Sequence, residues 1–327
     1  MNIRKIKEEL KSYPSYRLKQ VRRALFQKGV SSWEEVSTLP KPLRKKLKKE
    51  VPLRINGDRT QSKNGKTSKI SIVLDDGFEV ESVLMKHEKR NTVCVSSQAG
   101  CRLGCKFCAT GKMGFKRNLR WDEIIMQAYY FLSKLPEGER IDNIVFMGMG
   151  EPFLNYEAVM KAIGIFNSED CFNMGARNLS ISTVGIPSKI KKFTDENIQV
   201  NLAISLHAPD NELRSRLVPV NDKYPLENVF EAVDHYLNKT NRKIMFEYLL
   251  LHKVNDGTDQ ARQLAKLIGG RLSVVNLISY NPTGDFKKSS EKRRDKFKKI
   301  LKKEGIEVSE RKSFGRDING ACGQLAN

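Results

Sequence analysis

The rhythm of apolar and polar positions changes twice along this chain. Over residues 1–55 apolar side chains recur at helical spacing: Leu18, Val21 and Leu25 share one stripe, while Arg17, Lys19, Arg22 and Arg23 fall on other faces. Pro40 and Pro42 interrupt the pattern, and Pro42 suits the first turn of a further helix. Residues 56–68, NGDRTQSKNGKTS, are polar and glycine-containing, which predicts a linker or loop. Residues 69–84 alternate through KISIVL, turn at DDG and return through FEVESVL, a β-hairpin. From residue 91 strand-like runs follow one another: TVCVSS, NIVFMGM, NLSISTV, VNLAISL, KIMFEYLLL and LSVVNLIS. Helix-like runs lie between them, at WDEIIMQAYYFLSKL, YEAVMKAIGIF, PLENVFEAVDHYL and TDQARQLAKLI.

Six strands alternating with helices predict parallel β/α units and an α/β fold. An incomplete (β/α)6 barrel over residues 91–305 is the expected form, with chemistry carried by loops at the C-terminal ends of its strands. Residues 1–55 make a small basic helical accessory domain and residues 56–90 a linker with a β-hairpin extension. Residues 306–327 hold a last strand, IEVSERKSFG, and a loop, DINGACGQLAN.

Composition narrows the class. At 39% hydrophobic residues over 327 positions, the chain can bury a real core. No apolar run is long enough to span a bilayer, and MNIRKIKEELKSY has no apolar stretch of the secretory kind. A cytoplasmic protein without membrane contact is expected. Lys and Arg number 59 against 38 Asp and Glu, a net +21. The excess is clustered in RLKQVRR, KPLRKKLKK, KRNLR and KKSSEKRRDKFKK. Clustered positive charge favours a polyanion through phosphate contacts and counterion release, so a nucleic acid is the favoured partner.

The sharpest chemical signal is GCRLGCKFCATG, directly after the first strand of the parallel series. Cys101, Cys105 and Cys108 form a C-x3-C-x2-C triplet. Three thiolates on one loop can hold three irons of a [4Fe–4S] cluster and leave the fourth open to a small chelating molecule. A structural zinc site is the competing reading, but it wants four ligands, and His87, His207, His235 and His252 all lie outside the loop. A disulfide framework belongs to short secreted chains, not to six cysteines in 327 residues.

The triplet resembles that of the radical S-adenosylmethionine (SAM) enzymes. In order along the chain, CVSSQAGCRLGCKFCATG, FMGMGEPFLN, LSISTVGIP, SLHAPD, NPTG and GACGQLA resemble the RlmN/Cfr-type RNA adenine methyltransferases over essentially the whole chain. The resemblance implies a radical SAM barrel with one [4Fe–4S] cluster, whose open iron is chelated by SAM. It implies a reaction in which one SAM methylates a cysteine and a radical from a second SAM removes a hydrogen from that methyl. The resulting carbon adds to adenine, joining protein and RNA. A second cysteine then attacks the carrier sulfur, releases product and leaves a disulfide.

Carried onto this sequence, the resemblance makes Cys101, Cys105 and Cys108 the cluster ligands. Cys322 becomes the S-methylcysteine, and Cys94, seven residues before Cys101, the resolving cysteine. Glu81, thirteen before Cys94, becomes the proton acceptor. Gly150, Glu151, Ser182, Ser205, Leu206, His207 and Asn281 become SAM contacts. Each has a plainer reading. Glu81 alone is a solvated hairpin charge with Glu79 as competitor, and Cys94 a small buried apolar residue. His207 reads as a surface histidine, and Ser and Asn at strand ends as turn residues. Cys171 has no motif around it and reads as structural.

The implied function is methylation of adenosine carbon 2 in 23S rRNA, with tRNA as a second substrate, two SAM molecules per methyl group, a monomer, and an electron donor such as flavodoxin or ferredoxin. GMGEP with Pro152 resembles the carbon-2 enzymes, whereas SFGRDI and the short N-terminal module resemble the carbon-8 group, which stays open as an alternative. A radical SAM enzyme on a protein or small molecule, and a non-catalytic RNA-binding module, are the rival classes.

Overall fold

The computed structural model describes residues 1–284 and 286–326. Residues 1–55 form three helices, α1 (Ile3–Glu9), α2 (Tyr16–Phe26) and α3 (Lys41–Glu50), around Trp33. Trp33 is fully buried and its indole N–H donates to the Val51 carbonyl at 2.7 Å. Pro42 sits in the first turn of α3, where a missing N–H costs nothing.

The segment expected to be a linker is instead a strand. β1 (Gly57–Gln61) pairs antiparallel with β2 (Thr67–Val73), which pairs with β3 (Glu79–Lys86). All five residues of β1 are exposed, so no apolar alternation marked it. Its backbone ladder to β2 holds it as an edge strand, and polar side chains are what an edge tolerates. The hairpin predicted around DDG is present as β2 and β3.

The six predicted parallel strands are all found: β4 (Asn91–Val95), then, after a short two-stranded pair β5 (Gln98–Gly100) and β6 (Phe115–Asn118), β7 (Asn143–Phe146), β8 (Leu179–Thr183), β9 (Asn201–Ser205), β10 (Ile244–Leu250) and β11 (Ser273–Ser279). β12 (Val308–Arg311) adds a seventh parallel strand. One sheet of ten strands results, in the order β1-β2-β3-β4-β7-β8-β9-β10-β11-β12. The strands β1 to β3 are therefore a continuation of the barrel sheet, joined to β4 antiparallel.

Helices α4 (Ala109–Lys112), α5 (Trp121–Leu132), α6 (Tyr156–Asn167), α7 (Pro187–Asp195), α8 (Asn211–Leu217), α9 (Leu226–Thr240), α10 (Thr258–Ile268) and α11 (Glu291–Lys303) occupy the connections. The sheet is open in its pairing but curls until its ends meet through side chains. The His87 ring, just past β3, stands edge-on to Phe314, just past β12, at 4.6 Å. The Lys63 N–H between β1 and β2 donates to Asp317 at 2.8 Å. The helical module docks on α5: the Tyr129 hydroxyl donates to the Val30 carbonyl at 2.7 Å, and Arg4 pairs with Asp122 at 3.3 Å.

Candidate active site

The curled sheet encloses a cavity of about 810 Å³. Its walls are the inward phase of the strands, and its end is capped by the cysteine loop and the C-terminal segment. Cys94, Cys101, Cys105, Cys108 and Cys322 all line it. These five belong to segments more than two hundred residues apart, and the fold brings them to one space.

The loop is set by glycine geometry. Gly100 has φ +73°, and a Cβ there would lie 2.0 Å from the Gly114 carbonyl oxygen, so the β5–β6 pair closes only with glycine. The Cys101 N–H then donates to the same carbonyl at 2.9 Å. Burial pushes the Cys101 thiol up to about 12 and the Cys105 thiol well above its ordinary value, with each neighbouring thiol adding to the effect. Among the described residues, no three His, Cys, Asp or Glu side chains are gathered so as to hold a metal ion. Cys101, Cys105 and Cys108 nonetheless stand close enough to act on one another's charge. One thiolate per iron is what a multi-iron cluster asks for, and a cationic iron–sulfur core would offset the cost of ionising buried thiols. The donor set fits a cluster better than a single zinc.

The C-terminal segment folds back over this loop. The Ala109 N–H, next to Cys108, donates to the Gly323 carbonyl at 2.8 Å, and the Thr110 hydroxyl donates to the Leu325 carbonyl at 2.5 Å. Asn281 donates from Nδ2 to the Cys322 carbonyl at 3.1 Å, while its Oδ1 accepts from Arg316 at 2.8 Å. Cys322 is exposed and lines the cavity. Cys94, on β4, is buried, and burial with the nearby Cys322 pushes it up to about 12; the Arg311 cation opposes this at both sulfurs. Cys171 is buried outside the cavity lining.

Glu81 is not a solvated charge. It shares a face of β3 with the cavity-lining Val83 and Met85, is 3% exposed, and sits beneath the C-terminal segment. Its Oε1 accepts from Lys69 at 2.5 Å and its Oε2 from the Ala326 N–H at 2.8 Å. Burial raises its carboxyl above the usual range against the opposing Lys69 cation. Glu79 is exposed and accepts from Ser71.

The residues expected around SAM are brought to the cysteine end with differing roles. Gly150 has φ +93°, and a Cβ there would lie 2.4 Å from that of Gln98; one at Gly148 would lie 2.6 Å from Ser96 Oγ. Their close approach is to the segment after β4. Glu151 lines the cavity, its Oε1 accepting from the Phe153 N–H at 3.0 Å and its Oε2 from the Val184 N–H at 2.9 Å. Burial lifts its carboxyl to about 7. The Ser182 and Ser205 hydroxyls are 3.0 Å apart. Leu206 offers backbone: its N–H donates to the Glu247 carbonyl at 3.0 Å. His207 has φ +61° and is held by the Leu249 N–H donating to Nδ1 at 3.1 Å, so the proton of the neutral ring is on Nε2. The ring stands edge-on to Phe107 of the cysteine loop at 4.7 Å. Burial pushes it down to about 3, with the Arg214 cation adding to this.

Three further residues escaped the sequence reading. Arg214, on α8, is fully buried and donates to the carbonyls of Val184, Ser205 (3.3 Å) and Leu206 (3.1 Å) and to the Asn221 side chain (2.8 Å). It ties the ends of β8 and β9 beneath the loop, and its charge acts on Cys105. Glu247 on β10 and Arg311 on β12 form a pair inside the barrel at 2.7 Å. A carboxylate at the inward phase of the apolar run FEYLLL was the available signal.

The chain is similar to known proteins over most of its length. Residues 95–268 match the Radical SAM superfamily. A probable dual-specificity RNA methyltransferase RlmN of Dictyoglomus thermophilum is 43% identical over 95% of this chain and 90% of its own length. The ribosomal RNA large subunit methyltransferase N of Nitrosopumilus maritimus is 43% identical over 96% of this chain and 93% of its own. A crystal structure of a radical SAM methyltransferase from Sphaerobacter thermophilus superposes with a TM-score of 0.92 at 40% identity, covering 99% of this chain and 97% of that one. With cysteine loop, barrel and C-terminal cysteine in place, the chain belongs to the radical SAM superfamily and, within it, to the RlmN/Cfr-type family of RNA adenine methyltransferases.

Proposed function

We propose that this protein methylates carbon 2 of an adenosine in 23S rRNA, and an adenosine in tRNA, through a methyl group carried on Cys322. The observation that carries the reading is the folding of the Cys322 segment onto the cysteine loop, in one cavity with Cys94. Enzymes of this family work with a [4Fe–4S] cluster and SAM; Cys101, Cys105 and Cys108 would hold the cluster, Glu151, Ser182, Ser205 and His207 line the cavity beside it, and Asn281 is bonded to the Cys322 carbonyl. When bound, the two supply a transferable methyl group and then a hydrogen-abstracting radical.

The chain's own residues do the rest. Cys322 carries the methyl group as a thioether, and after loss of one hydrogen that carbon bonds to the adenine ring. Departure of the ring hydrogen as a proton needs a base, the role given to Glu81, whose raised carboxyl suits proton exchange. The odd electron left by this addition passes to a one-electron acceptor as the ring proton departs; the Cys94 thiolate then attacks the Cys322 sulfur, breaking its bond to carbon, and that carbon takes up a proton to become the methyl group. Methylated RNA leaves, and the Cys94–Cys322 disulfide is returned to two thiols by an external two-electron reductant. Arg311, acting on both sulfurs, favours the thiolate needed for attack. A flavodoxin- or ferredoxin-type protein in the cytoplasm supplies the electrons for SAM cleavage, and the protein acts as a monomer. Among the described residues, no helix is long and apolar enough to cross a membrane.

The test separates the two sulfurs. Cys322→Ala is expected to give neither methylated RNA nor an RNA adduct. Cys94→Ala is expected to acquire the methyl on Cys322, add to RNA and stall there, leaving a covalent protein–RNA species on a denaturing gel. Normal turnover by Cys94→Ala, or a Cys322 peptide that never gains methyl mass, overturns the two-cysteine scheme. Mass spectrometry of the product distinguishes carbon 2 from carbon 8.

A further inference from the structure

Across the middle of the barrel, polar side chains stand in one rung. Ser205 on β9 is in register with Glu247 on β10, Glu247 with Asn276 on β11, and Asn276 with Ser309 on β12. All four line the cavity. The rung is satisfied at every point but one. Glu247 Oε1 accepts from Asn276 Nδ2 at 2.9 Å and from Arg311 Nη2 at 2.7 Å. Ser309 donates to Asn276 Oδ1. Glu247 Oε2 is buried and finds no hydrogen-bond partner among the described residues, although the side chain is only 3% exposed. A buried carboxylate oxygen without a donor is costly, and such an exception calls for an explanation. This one faces the cavity that holds Cys322, and the Glu247 charge acts on that thiol.

We propose that Glu247 is a specificity-determining residue, its free Oε2 accepting a hydrogen bond from the exocyclic amine of the target adenine. The inference rests on the reading of the protein as an adenosine methyltransferase and adds how adenine is told from guanine. Adenine presents an N–H donor at its 6 position, where guanine presents a carbonyl oxygen. A carboxylate oxygen with no donor of its own attracts the first and repels the second. Binding the amine also completes the rung, leaving no buried acceptor unmet. A site built to hydrogen-bond a polar group rejects ligands lacking it far more strongly than an apolar pocket can. SAM carries the same amine on its own adenine, so the test must separate the two.

Once mass spectrometry has located the methylated adenosine, a synthetic RNA is made with adenosine, purine riboside or inosine at that position. Purine riboside removes only the amine, and inosine replaces it by a carbonyl. Dissociation constants are read by fluorescence anisotropy on anaerobically reconstituted protein, and SAM affinity by equilibrium dialysis. Wild-type protein is expected to bind the purine riboside RNA roughly ten- to a hundredfold more weakly than adenosine RNA, and inosine RNA more weakly still. In Glu247→Gln, the donors Asn276 and Arg311 fix the amide oxygen, so the amide N–H faces the cavity. That variant is expected to reverse the order and prefer inosine, with SAM affinity unchanged and a melting temperature confirming its fold. Equal affinity of wild type for adenosine and purine riboside overturns the proposal without any variant. A Glu247→Gln protein that keeps the adenosine preference but loses SAM affinity also overturns it, assigning Oε2 to SAM. A wild-type protein that methylates no RNA adenosine overturns the reading of function itself, and this inference with it.

Discussion

The N-terminal helical module and the barrel interior use polar residues in opposite ways. Residues 1–55 contain 16 basic and 5 acidic side chains, a net +11 out of the chain's +21. Their charges stay in water. Ion pairs such as Lys46–Glu9 and Lys48–Glu34 lie at the surface, where a pair contributes about 0–1 kcal/mol. The barrel interior buries Glu81, Glu151, His207, Arg214, Glu247 and Asn276. Each of those must be matched atom by atom or cost several kcal/mol. The difference teaches where selection for chemistry acts. Long-range attraction of a polyanion needs only charge density, which a small three-helix module can supply. Bond making needs fixed dipoles in a space shielded from water, which only the curled sheet supplies.

The largest effect that separates the two regions is loss of the cofactor. Cys105→Ala is expected to reduce the iron of anaerobically reconstituted protein from about four per chain to near none and to abolish SAM cleavage, while RNA still binds. Retained SAM cleavage, measured as 5′-deoxyadenosine released under a strong reductant, would break the assignment of the loop. Next come losses of folding free energy. Trp33→Ala removes the centre of the module's core and is expected to cost roughly 3–5 kcal/mol. Arg214→Met strands the Val184, Ser205 and Leu206 carbonyls and the Asn221 side chain, and is expected to cost about 3–5 kcal/mol. Chemical denaturation measures both. If the comparison holds, Trp33→Ala weakens RNA binding and spares SAM cleavage without RNA, and Arg214→Met does the reverse.

How far the sequence spoke follows the same divide. The barrel strands were legible because each is a run of β-branched and aromatic residues between turn residues, and buried parallel strands read that way. The cysteine loop and Cys322 were legible through motif spacing. β1 was missed because an edge strand with five exposed residues carries no apolar period. α11 was missed because Phe297 and Leu301 are its only buried residues in a thirteen-residue basic run. α7 and α8 are short, though Pro187 at the start of one and Asp210, whose side chain caps the Leu213 N–H at 2.8 Å, before the other were usable signals. Glu247, Arg311 and Arg214 were missed because their meaning lies in register and burial. One carboxylate in FEYLLL becomes informative only when Ser205 and Asn276 stand beside it.

A pH series on the cluster-free protein sharpens the picture of the buried interior. His207 is depressed from 6.5 to about 3 in the folded state, so its neutral ring contributes stability in full above pH 6.5, lost as pH falls toward 3. Glu151 is raised from 4.5 to about 7, so its contribution is full below pH 4.5 and is lost as pH rises through 7. Between pH 4.5 and 6.5 the two oppose each other and flatten the stability profile. Glu151→Gln removes one of them. Relative to wild type, the variant is expected to gain on the order of 3 kcal/mol between pH 4.5 and pH 7.5, from 1.4 kcal/mol per pKa unit. Parallel profiles for the two proteins would show that the Glu151 carboxyl does not hold its proton.

The smallest effect on folding tests the module's half of the comparison. On α3, Leu43 and Leu47 face inward, and Lys41, Lys45 and Lys49 are exposed without a carboxylate partner among the described residues, whereas Lys46 and Lys48 are tied to Glu9 and Glu34. The free three are therefore the ones available to phosphates. Replacing all three with Gln is expected to change stability by less than about 0.5 kcal/mol, since nothing packed or paired is removed. RNA affinity should fall for every sequence alike, because phosphate contacts carry no base information. The slope of log affinity against log salt should become shallower by about 2–3, close to 0.7–0.9 per lost contact. SAM cleavage without RNA should be untouched. An unchanged salt slope would move the RNA footprint away from α3, towards Arg90, Arg177 and Lys312, which line the cavity. The division of labour between module and barrel would then have to be redrawn, with charge and chemistry sharing the barrel.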